Sequence, residues 1–482
     1  MFGASALSFF ACSSQETSTD APRPRNVILF VTDTLRADRL GCYGYSRPTS
    51  PNIDALASRG TMFARNHSQG CWTVPSMISM MSGLYVTQKE TALPTEQASL
   101  GEALTEGGIQ TVAFIGNPVV SIDRGFQRGF QGDFFYSPIN GEGSGPRHLA
   151  NGSALLLEMN FESWYAENKR DLDTGDGFVA WIHPMDPHHP YKSKHANPFP
   201  LGSPRIDADL ITPRWQKGEK DITNLLQGRE HMPYSSSTRR MNYESTQYDG
   251  EVTAVDDAVG KLVAFLEGQG ILDDTLIIFA ADHGEMLWEQ ERYPFEVDLE
   301  MQGEKPLEDG LYDYFGHGHR GWFYEELWNT PLILAGPGIE AGVVSNALSS
   351  NLDIYPTILE ALDVPVRSSL HGSSLMDNKA PTRKRVFAFG RNVTAVYEES
   401  GQKLVEAHTL HRTLAKERKP TILFFDHEVD VDESKNLAAD RAADVARLLS
   451  DLADWRVRYE RKVIKTTSEE SNKVLGDLGY LD

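Results

Sequence analysis

Cysteine is scarce in this chain: three residues in 482, Cys12, Cys42 and Cys71. None belongs to a C-x-x-C pair, so neither a zinc ribbon nor a disulfide scaffold is indicated. No apolar run is long enough to cross a bilayer as a mature helix. Positive charge is also short. The 46 Lys and Arg stand against 68 Asp and Glu, for a formal net charge of -22. A nucleic-acid binder carries the opposite sign, so no nucleic-acid partner is expected. An anionic substrate must be attracted locally, by a metal or a few cationic side chains, because the global field opposes it. Internal repeats are absent as well. What is present is ordinary globular composition, 40% hydrophobic and 24% charged, at a length that suits one large domain and one small one.

The first residues stand apart. A short apolar stretch ends in Phe9-Phe10-Ala11-Cys12-Ser13-Ser14, and a polar stretch from Gln15 to Arg25 follows. A small residue before a cysteine at the end of an apolar segment is similar to a bacterial lipoprotein signal, although the basic n-region is missing. The expectation is a leader and linker over 1–25 and a membrane tether through Cys12. The chain would then reside in a bacterial cell envelope, periplasmic or lipid-anchored. The alternative is a leader without function.

Asn26 to Thr32 is a continuous apolar, β-branched run that stops at Asp33. Such a run reads as a strand buried on both faces. Thr275 to Ala281 is a second and stops at Asp282-His283. Gln110 to Gly116 stops at Asn117, and Phe178 to Ile182 stops at His183. Pro331 to Ala335 reads as a fifth. Between them, Val252, Val255, Val259, Leu262, Val263 and Leu266 fall at helical spacing, with Gly268 to close the helix. Ser50-Pro51 suits a helix start. Alternating strands and helices predict an α/β fold with a large parallel-type sheet flanked by helices. Ligands of such sheets bind beyond the carboxyl ends of the strands. Any one polar residue there is unremarkable; several, from strands far apart in sequence, point to one shared site.

Asp33, Asp282 and His283 form a donor set for a divalent cation. Two carboxylates and an imidazole suit calcium, manganese or zinc, and donor type alone does not choose among them. Thr73, in Trp72-Thr73-Val74-Pro75-Ser76, is the candidate nucleophile. Pro75 fits a first helical turn and Gly83 its close, so Thr73 lies near a helix N-terminus, where anions are favoured. A bound cation is one way to activate a poor hydroxyl nucleophile. The plainer reading of Thr73 is a helix cap.

Asp33-Thr34-Leu35-Arg36-Ala37-Asp38-Arg39-Leu40-Gly41-Cys42-Tyr43-Gly44 resembles the opening motif of bacterial sulfatases, within the alkaline-phosphatase superfamily. Ser50-Pro51-Asn52-Ile53-Asp54 to Gly60, Thr73-Val74-Pro75-Ser76 to Tyr85, and His183 to Tyr191 resemble further blocks. So do Ala281-Asp282-His283-Gly284-Glu285, and Gly316-His317-Gly318-His319 to Thr330-Pro331. The blocks run in order from Asn26 to about Met376. The resemblance implies an alkaline-phosphatase-like catalytic domain over 26–385 and a sulfuric or phosphoric ester hydrolase. It implies Asp33, Asp282 and His283 as metal ligands, with calcium the first expectation, and Thr73 as nucleophile touching the metal. His188 would assist the leaving group. Asn117 falls where many sulfatases hold the sulfate with a lysine. One of His317, His319 and Arg320 would be the cationic group opposite.

The pattern breaks at the nucleophile. The family motif is Cys/Ser-x-Pro-Ser-Arg, whose first residue becomes formylglycine. Here Thr73 stands first and Met77 replaces the arginine, while Cys71 is two residues early and lacks the x-Pro that should follow. No formylglycine is expected, and threonine favours phosphoryl chemistry. Arg36 is a candidate to compensate for the missing clamp, and a surface ion pair is the equal alternative. Glu289 to Asp313 is an acidic, aromatic insertion expected at the rim of the site.

After a charged stretch at Lys379 to Arg385, residues 386–482 read as a small α+β subdomain. Its strands are Val386 to Phe389, Ala395 to Tyr397, Gln402 to Val405 and Thr421 to Phe425, and a last helix carries Val445, Leu448, Leu449, Leu452 and Trp455 on one face. The expected substrate is a small-molecule or glycan ester. Two other functions fit the same residues: a phosphodiesterase or phosphoryl-group transferase of the superfamily, and a degenerate sulfatase that binds a glycan without turnover.

Overall fold

The computed structural model describes residues 22–86, 91–130, 135–136, 153–191, 234–291, 315–319, 323–367, 369–376, 383–390, 393–407 and 420–459. The strands in chain order are β1 (Asn26–Thr32), β2 (Thr61–His67), β3 (Gln110–Ile115), β4 (Phe135–Tyr136), β5 (Phe178–His183), β6 (Thr275–Ala281), β7 (Met286–Glu291), β8 (Phe315–Gly318), β9 (Leu332–Ala335) and β10 (Val343–Ser350). β11 (Arg385–Gly390), β12 (Val393–Glu398), β13 (Gln402–Ala407) and β14 (Thr421–Asp426) follow. The helices are α1 (Pro51–Ser58), α2 (Thr73–Ser82), α3 (Leu100–Glu106), α4 (Ala154–Thr174), α5 (Tyr234–Gly268), α6 (Glu325–Trp328), α7 (Ile354–Ala361) and α8 (Ala442–Tyr459).

The main sheet has eight strands in the order β10-β2-β9-β6-β1-β5-β3-β4. β6, β1, β5 and β3 are parallel and central, as the apolar runs predict. β9 runs antiparallel to both β6 and β2, so the sheet is mixed. The reason for the continuous apolar runs is visible in β1. Val27, Leu29 and Val31 enter one core, while Ile28 and Phe30 enter the other. Successive side chains of a strand point to opposite faces, so a sheet covered on both sides needs apolar residues at every position. One layer holds Met77, Ile78 and Met81 of α2 and Ile358 of α7; the other holds Val252, Val255 and Val259 of α5. Phe30 stacks on Phe279 with ring centroids 5.9 Å apart. Truncating such a side chain to alanine costs about 3–5 kcal/mol.

Two elements depart from the sequence reading. The helix expected from Glu251 begins at Tyr234, a polar first half that periodicity of apolar residues does not mark. The insertion after His283 starts as a strand, β7, paired antiparallel with β8. Most of Glu289 to Asp313 lies outside the described residues, as do Cys12, Arg320 and the tail from 460. No described helix is long and apolar enough to cross a membrane.

The subdomain is a four-stranded antiparallel sheet, β11-β12-β13-β14. One face packs Val396, Leu404 and Phe424 against Leu448, Leu452 and Trp455 of α8. The other packs Val405, Leu423 and Phe425 against Cys71, Leu327 and Trp328 of the main domain.

Candidate active site

The adjacent strands β6 and β1, and β3 on the far side of β5, deliver Asp282-His283, Asp33 and Asn117 to one point at the carboxyl edge of the sheet. α2 points its N-terminus there, with Thr73 as its first residue. The helix closes at Gly83, whose φ of 68° lies in the left-handed region that glycine adopts freely. Thr73 Oγ1 is 3.3 Å from His283 Nε2 and 3.4 Å from Asn117 Nδ2. Asn117 Nδ2 also donates to Asp33 Oδ2 at 2.5 Å, while its Oδ1 accepts from Val119 N at 2.9 Å, which fixes the amide's orientation. Ser76, one turn into α2, donates to the carbonyl of Asp282 and ties helix to ligand strand. Asp33, Thr73, Asn117, Asp282 and His283 are all fully buried.

The donor set fits a divalent cation. The ligand atoms of Asp33, Asp282 and His283 lie within 4.8 Å of one another. Asp33 Oδ1 and Asp282 Oδ2 are buried with no hydrogen-bond partner, an arrangement native proteins rarely leave uncompensated. His283 Nδ1 lies 2.9 Å from the carbonyl of Gly284, which can only accept. Nδ1 therefore carries the proton, and the lone pair of Nε2 faces Asp33 Oδ1 and Asp282 Oδ2, 3.5 Å from each. Burial, then the charges of Asp282 and Glu285, push Asp33 well above the usual carboxylate range. Burial also raises Asp282, against the opposing pull of His283. Two buried carboxylates whose mutual repulsion a cation would relieve are a fitting donor pair for one.

The remaining predicted residues are placed unequally. His319 lies beside the ligand set, its ring centroid 4.6 Å from that of His283, and His188 lies 5.1 Å beyond it. Sequence reasoning passed over Glu285, although it stands in the Asp282-His283-Gly284-Glu285 block: its buried carboxylate accepts from His319 Nδ1 at 3.2 Å. His188 gives its Nδ1 proton to the carbonyl of His189. Burial, then His319, push His188 down to about 3. A neutral ring with Nδ1–H engaged presents the lone pair of Nε2. Arg36 is buried and grips Asp38 with two bonds, Nε to Oδ1 at 2.8 Å and NH2 to Oδ2 at 2.5 Å, with NH1 on the Glu285 carbonyl at 3.2 Å. It braces the loop after β1. The His317 backbone pairs with Leu287; its side chain lies outside the described residues. Met77 is buried in the core and offers no charge to an anion, and Cys71 is buried in the subdomain interface. His183, at the end of β5, is buried with neither ring nitrogen hydrogen-bonded, and burial, then His283, push it down to about 3.

A doubly covered α/β sheet whose central strands converge on two carboxylates, an imidazole and a helix-borne hydroxyl defines an ester hydrolase of the alkaline-phosphatase type. Residues 25–364 match the family model for sulfatases, and the chain belongs to the sulfatase family. It is 25% identical to an N-acetylglucosamine-6-O-sulfatase of Bacteroides thetaiotaomicron, over 90% of this chain and 84% of that one. It is 24% identical to the multifunctional alkaline phosphatase superfamily protein PehA of Trinickia caryophylli, over 91% and 96%. Among solved structures, the phosphonate monoester hydrolase of Agrobacterium radiobacter superposes with a TM-score of 0.62 at 19% identity, over 91% of this chain and 96% of that one. A structure with D-glucosamine-2-N,6-O-disulfate bound as substrate gives 0.64 at 20%, over 91% and 98%. The chain is thus a hydrolase of the sulfatase family, of the sulfuric ester class.

Proposed function

We propose that the chain is a metal-dependent hydrolase of sulfate or phosphate esters in which Thr73 is the nucleophile. The observation that carries this is the Thr73 hydroxyl at the helix N-terminus, 3.3 Å from His283 and in contact with Asn117. A divalent cation held by Asp33, Asp282 and His283, with calcium the first choice and manganese or zinc the alternatives, would lower the hydroxyl's pKa and polarise the ester. Thr73 Oγ1, its proton passing to solvent as the cation would lower the hydroxyl's pKa, forms the new bond to phosphorus or sulfur while the bond to the leaving oxygen breaks. Asn117 Nδ2 donates to the charge that builds on the ester oxygens, as do the free N–H groups at the start of α2. The leaving oxygen takes a proton. His319 is assigned this role ahead of His188, because its Nδ1 meets the Glu285 carboxylate, an anion that supports a ring protonated at both nitrogens, whereas His188 Nδ1 meets only a peptide carbonyl. Water then attacks the covalent ester and restores the hydroxyl.

Threonine selects the phosphorus branch. It carries one hydroxyl and cannot release its ester by collapsing to an aldehyde, so both half-reactions are displacements at the central atom. Phosphate diesters and phosphonate monoesters are therefore the leading substrates, in keeping with the likeness to the phosphonate monoester hydrolase. Sulfated glycans are the second reading, favoured by the likeness to the glucosamine sulfatase. Location in a cell envelope, through lipidation of Cys12, belongs to the same proposal.

The test is turnover of nitrophenyl sulfate, phosphate, phosphodiester and phosphonate esters. Chelated protein is resupplied with calcium, manganese or zinc, and wild type is compared with Thr73→Ala. Metal-dependent cleavage lost in Thr73→Ala supports the reading, and the preferred ester decides between sulfur and phosphorus. Cleavage that survives Thr73→Ala refutes the nucleophile assignment. A requirement for an added acceptor would show a transferase, and glycan binding without turnover a degenerate sulfatase.

A further inference from the structure

A second convergence of charge, largely buried, lies where the subdomain meets the main domain. Glu325, His427 and Glu433 have ligand atoms close enough to hold a metal. An ammonium already stands there. Lys403, on β13 and fully buried, lies 3.0 Å from Glu325 Oε1 and 2.5 Å from Glu433 Oε1. His67 Nε2, from β2, donates to the other Glu325 oxygen at 3.2 Å, and His427 Nε2 is 2.9 Å from Glu433 Oε1. Tyr397 caps His427 Nδ1 at 3.2 Å, and the Trp328 ring lies 5.5 Å from the ammonium.

Two residues of the small subdomain, Lys403 and Glu433, grip the start of α6. Lys403 holds the Glu325 side chain, and Glu433 Oε2 accepts from the Glu325 backbone N–H at 3.1 Å. The end of α6 is fixed to β2 by Trp328 Nε1 on the Ser68 carbonyl at 2.6 Å. The helix in turn sets the peptide that follows the metal ligand. Gly284 N donates to the Leu327 carbonyl at 2.9 Å. The contact is so close that a Cβ on Gly284 would lie 1.8 Å from the Glu326 carbonyl oxygen. The carbonyl of this same Gly284 accepts the His283 Nδ1 proton and so aims Nε2 at Asp33 and Asp282.

We propose that Lys403 and Glu433 are positioning residues for the metal ligand His283, acting through α6 and Gly284, so that docking of the C-terminal subdomain and binding of the metal are coupled. This rests on the metal-centre reading above. Partners that orient a ligating histidine commonly change metal affinity by about 10–100-fold, and a coupling free energy acts on both events equally.

The experiment is calorimetric titration of the full-length apo chain with calcium, manganese and zinc, alongside its thermal midpoint and the amide exchange of the segment around Gly284. Lys403→Met should weaken metal binding about tenfold and speed that exchange, and Lys403→Arg should recover most of both. Trp455→Leu, which loosens the opposite face of the subdomain sheet, should lower the thermal midpoint with metal affinity within twofold of wild type. If Lys403→Met does not fold, Glu325→Gln carries the same expectation. Metal affinity unchanged in the folded variant, with only the midpoint lowered, overturns the coupling and leaves the metal centre standing. A wild-type chain that binds none of the three metals overturns the metal-centre reading itself, and the coupling with it.

Discussion

Asp282→Asn should stabilise the metal-free protein while abolishing its function. Asp33 and Asp282 are fully buried, and their ligand atoms lie within 4.8 Å of one another. Two unit charges at that distance repel by about 3–4 kcal/mol at an effective dielectric of about 20. Burial raises both carboxyls, Asp33 the more, because Asp282 and Glu285 also bear on it. The sign follows from linkage. A carboxyl whose folded pKa is raised binds its proton more tightly in the folded state. Stability therefore declines as pH rises from the unfolded value of about 3.9 towards the raised folded value, and stays low above it. Asparagine removes this penalty. Its Oδ1 can keep the two backbone bonds from Thr34 N and His283 N, at 3.2 and 2.7 Å. Since proton uptake relieves part of the repulsion, the net gain is about 1–2 kcal/mol, or a few degrees in the thermal midpoint. The assay is scanning calorimetry in chelator at pH 8 and again near pH 4, where the advantage should vanish. Added metal at about 1,000 times its Kd should raise wild type by about 4 kcal/mol and leave Asp282→Asn unmoved. A variant that is less stable than wild type in chelator, or that responds equally to metal, refutes the reasoning.

Asn117→Ala removes the donor beside Thr73 and should lower kcat by about 10²–10³-fold with little change in the apo midpoint; unchanged kcat would remove Asn117 from the site's chemistry. The Glu325 cluster should give the fold a pH optimum. Despite burial, Lys403 first, then His67 and His427, hold Glu325 well below the carboxylate range, so its contribution is present above about pH 4.3 and lost as pH falls through the depressed value. Despite burial, Glu325 and then Glu433 raise His427, so its contribution is full below about pH 6.5 and lost as pH rises through the raised value. The midpoint difference between wild type and Glu325→Gln should be flat between those limits and shrink on both sides; a difference independent of pH would contradict this. Arg36→Met should lower stability through the lost Asp38 bonds, with KM for the ester little changed, whereas a large rise in KM would restore Arg36 as an anion clamp.

Much of this was legible because burial on both faces of a sheet writes itself as unbroken apolar runs. Val27 to Val31 and Leu276 to Ala281 could be read as central strands, and the polar residues that end them mark the site. The four subdomain strands and the helix bearing Trp455 were legible for the same reason, one face of each being apolar. β9 was visible as an apolar run, but its antiparallel direction was not, since direction is set by pairing partners and leaves no pattern in four residues. The polar half of α5 has no apolar stripe to announce it. Glu285 and Lys403 escaped for another reason: a lone charged residue carries no periodicity, and its role depends on His319 34 residues away and on Glu325 78 residues away. Arg36 shows the converse. Its place in a family block suggested an anion clamp, with an ion pair as the equal alternative, and the structure shows the guanidinium on Asp38, two residues on.

The central claim is that Thr73 forms the covalent ester. It is met most directly by acid-quenching the metal-loaded enzyme during turnover of a slow phosphonate or phosphodiester substrate and weighing the peptide that carries Thr73. An adduct of the transferred group on Thr73 is expected, absent without metal and absent in Thr73→Ala. Rapid metal-dependent turnover, with that peptide unmodified at every quench time and activity retained in Thr73→Ala, would contradict it and assign the attack to water.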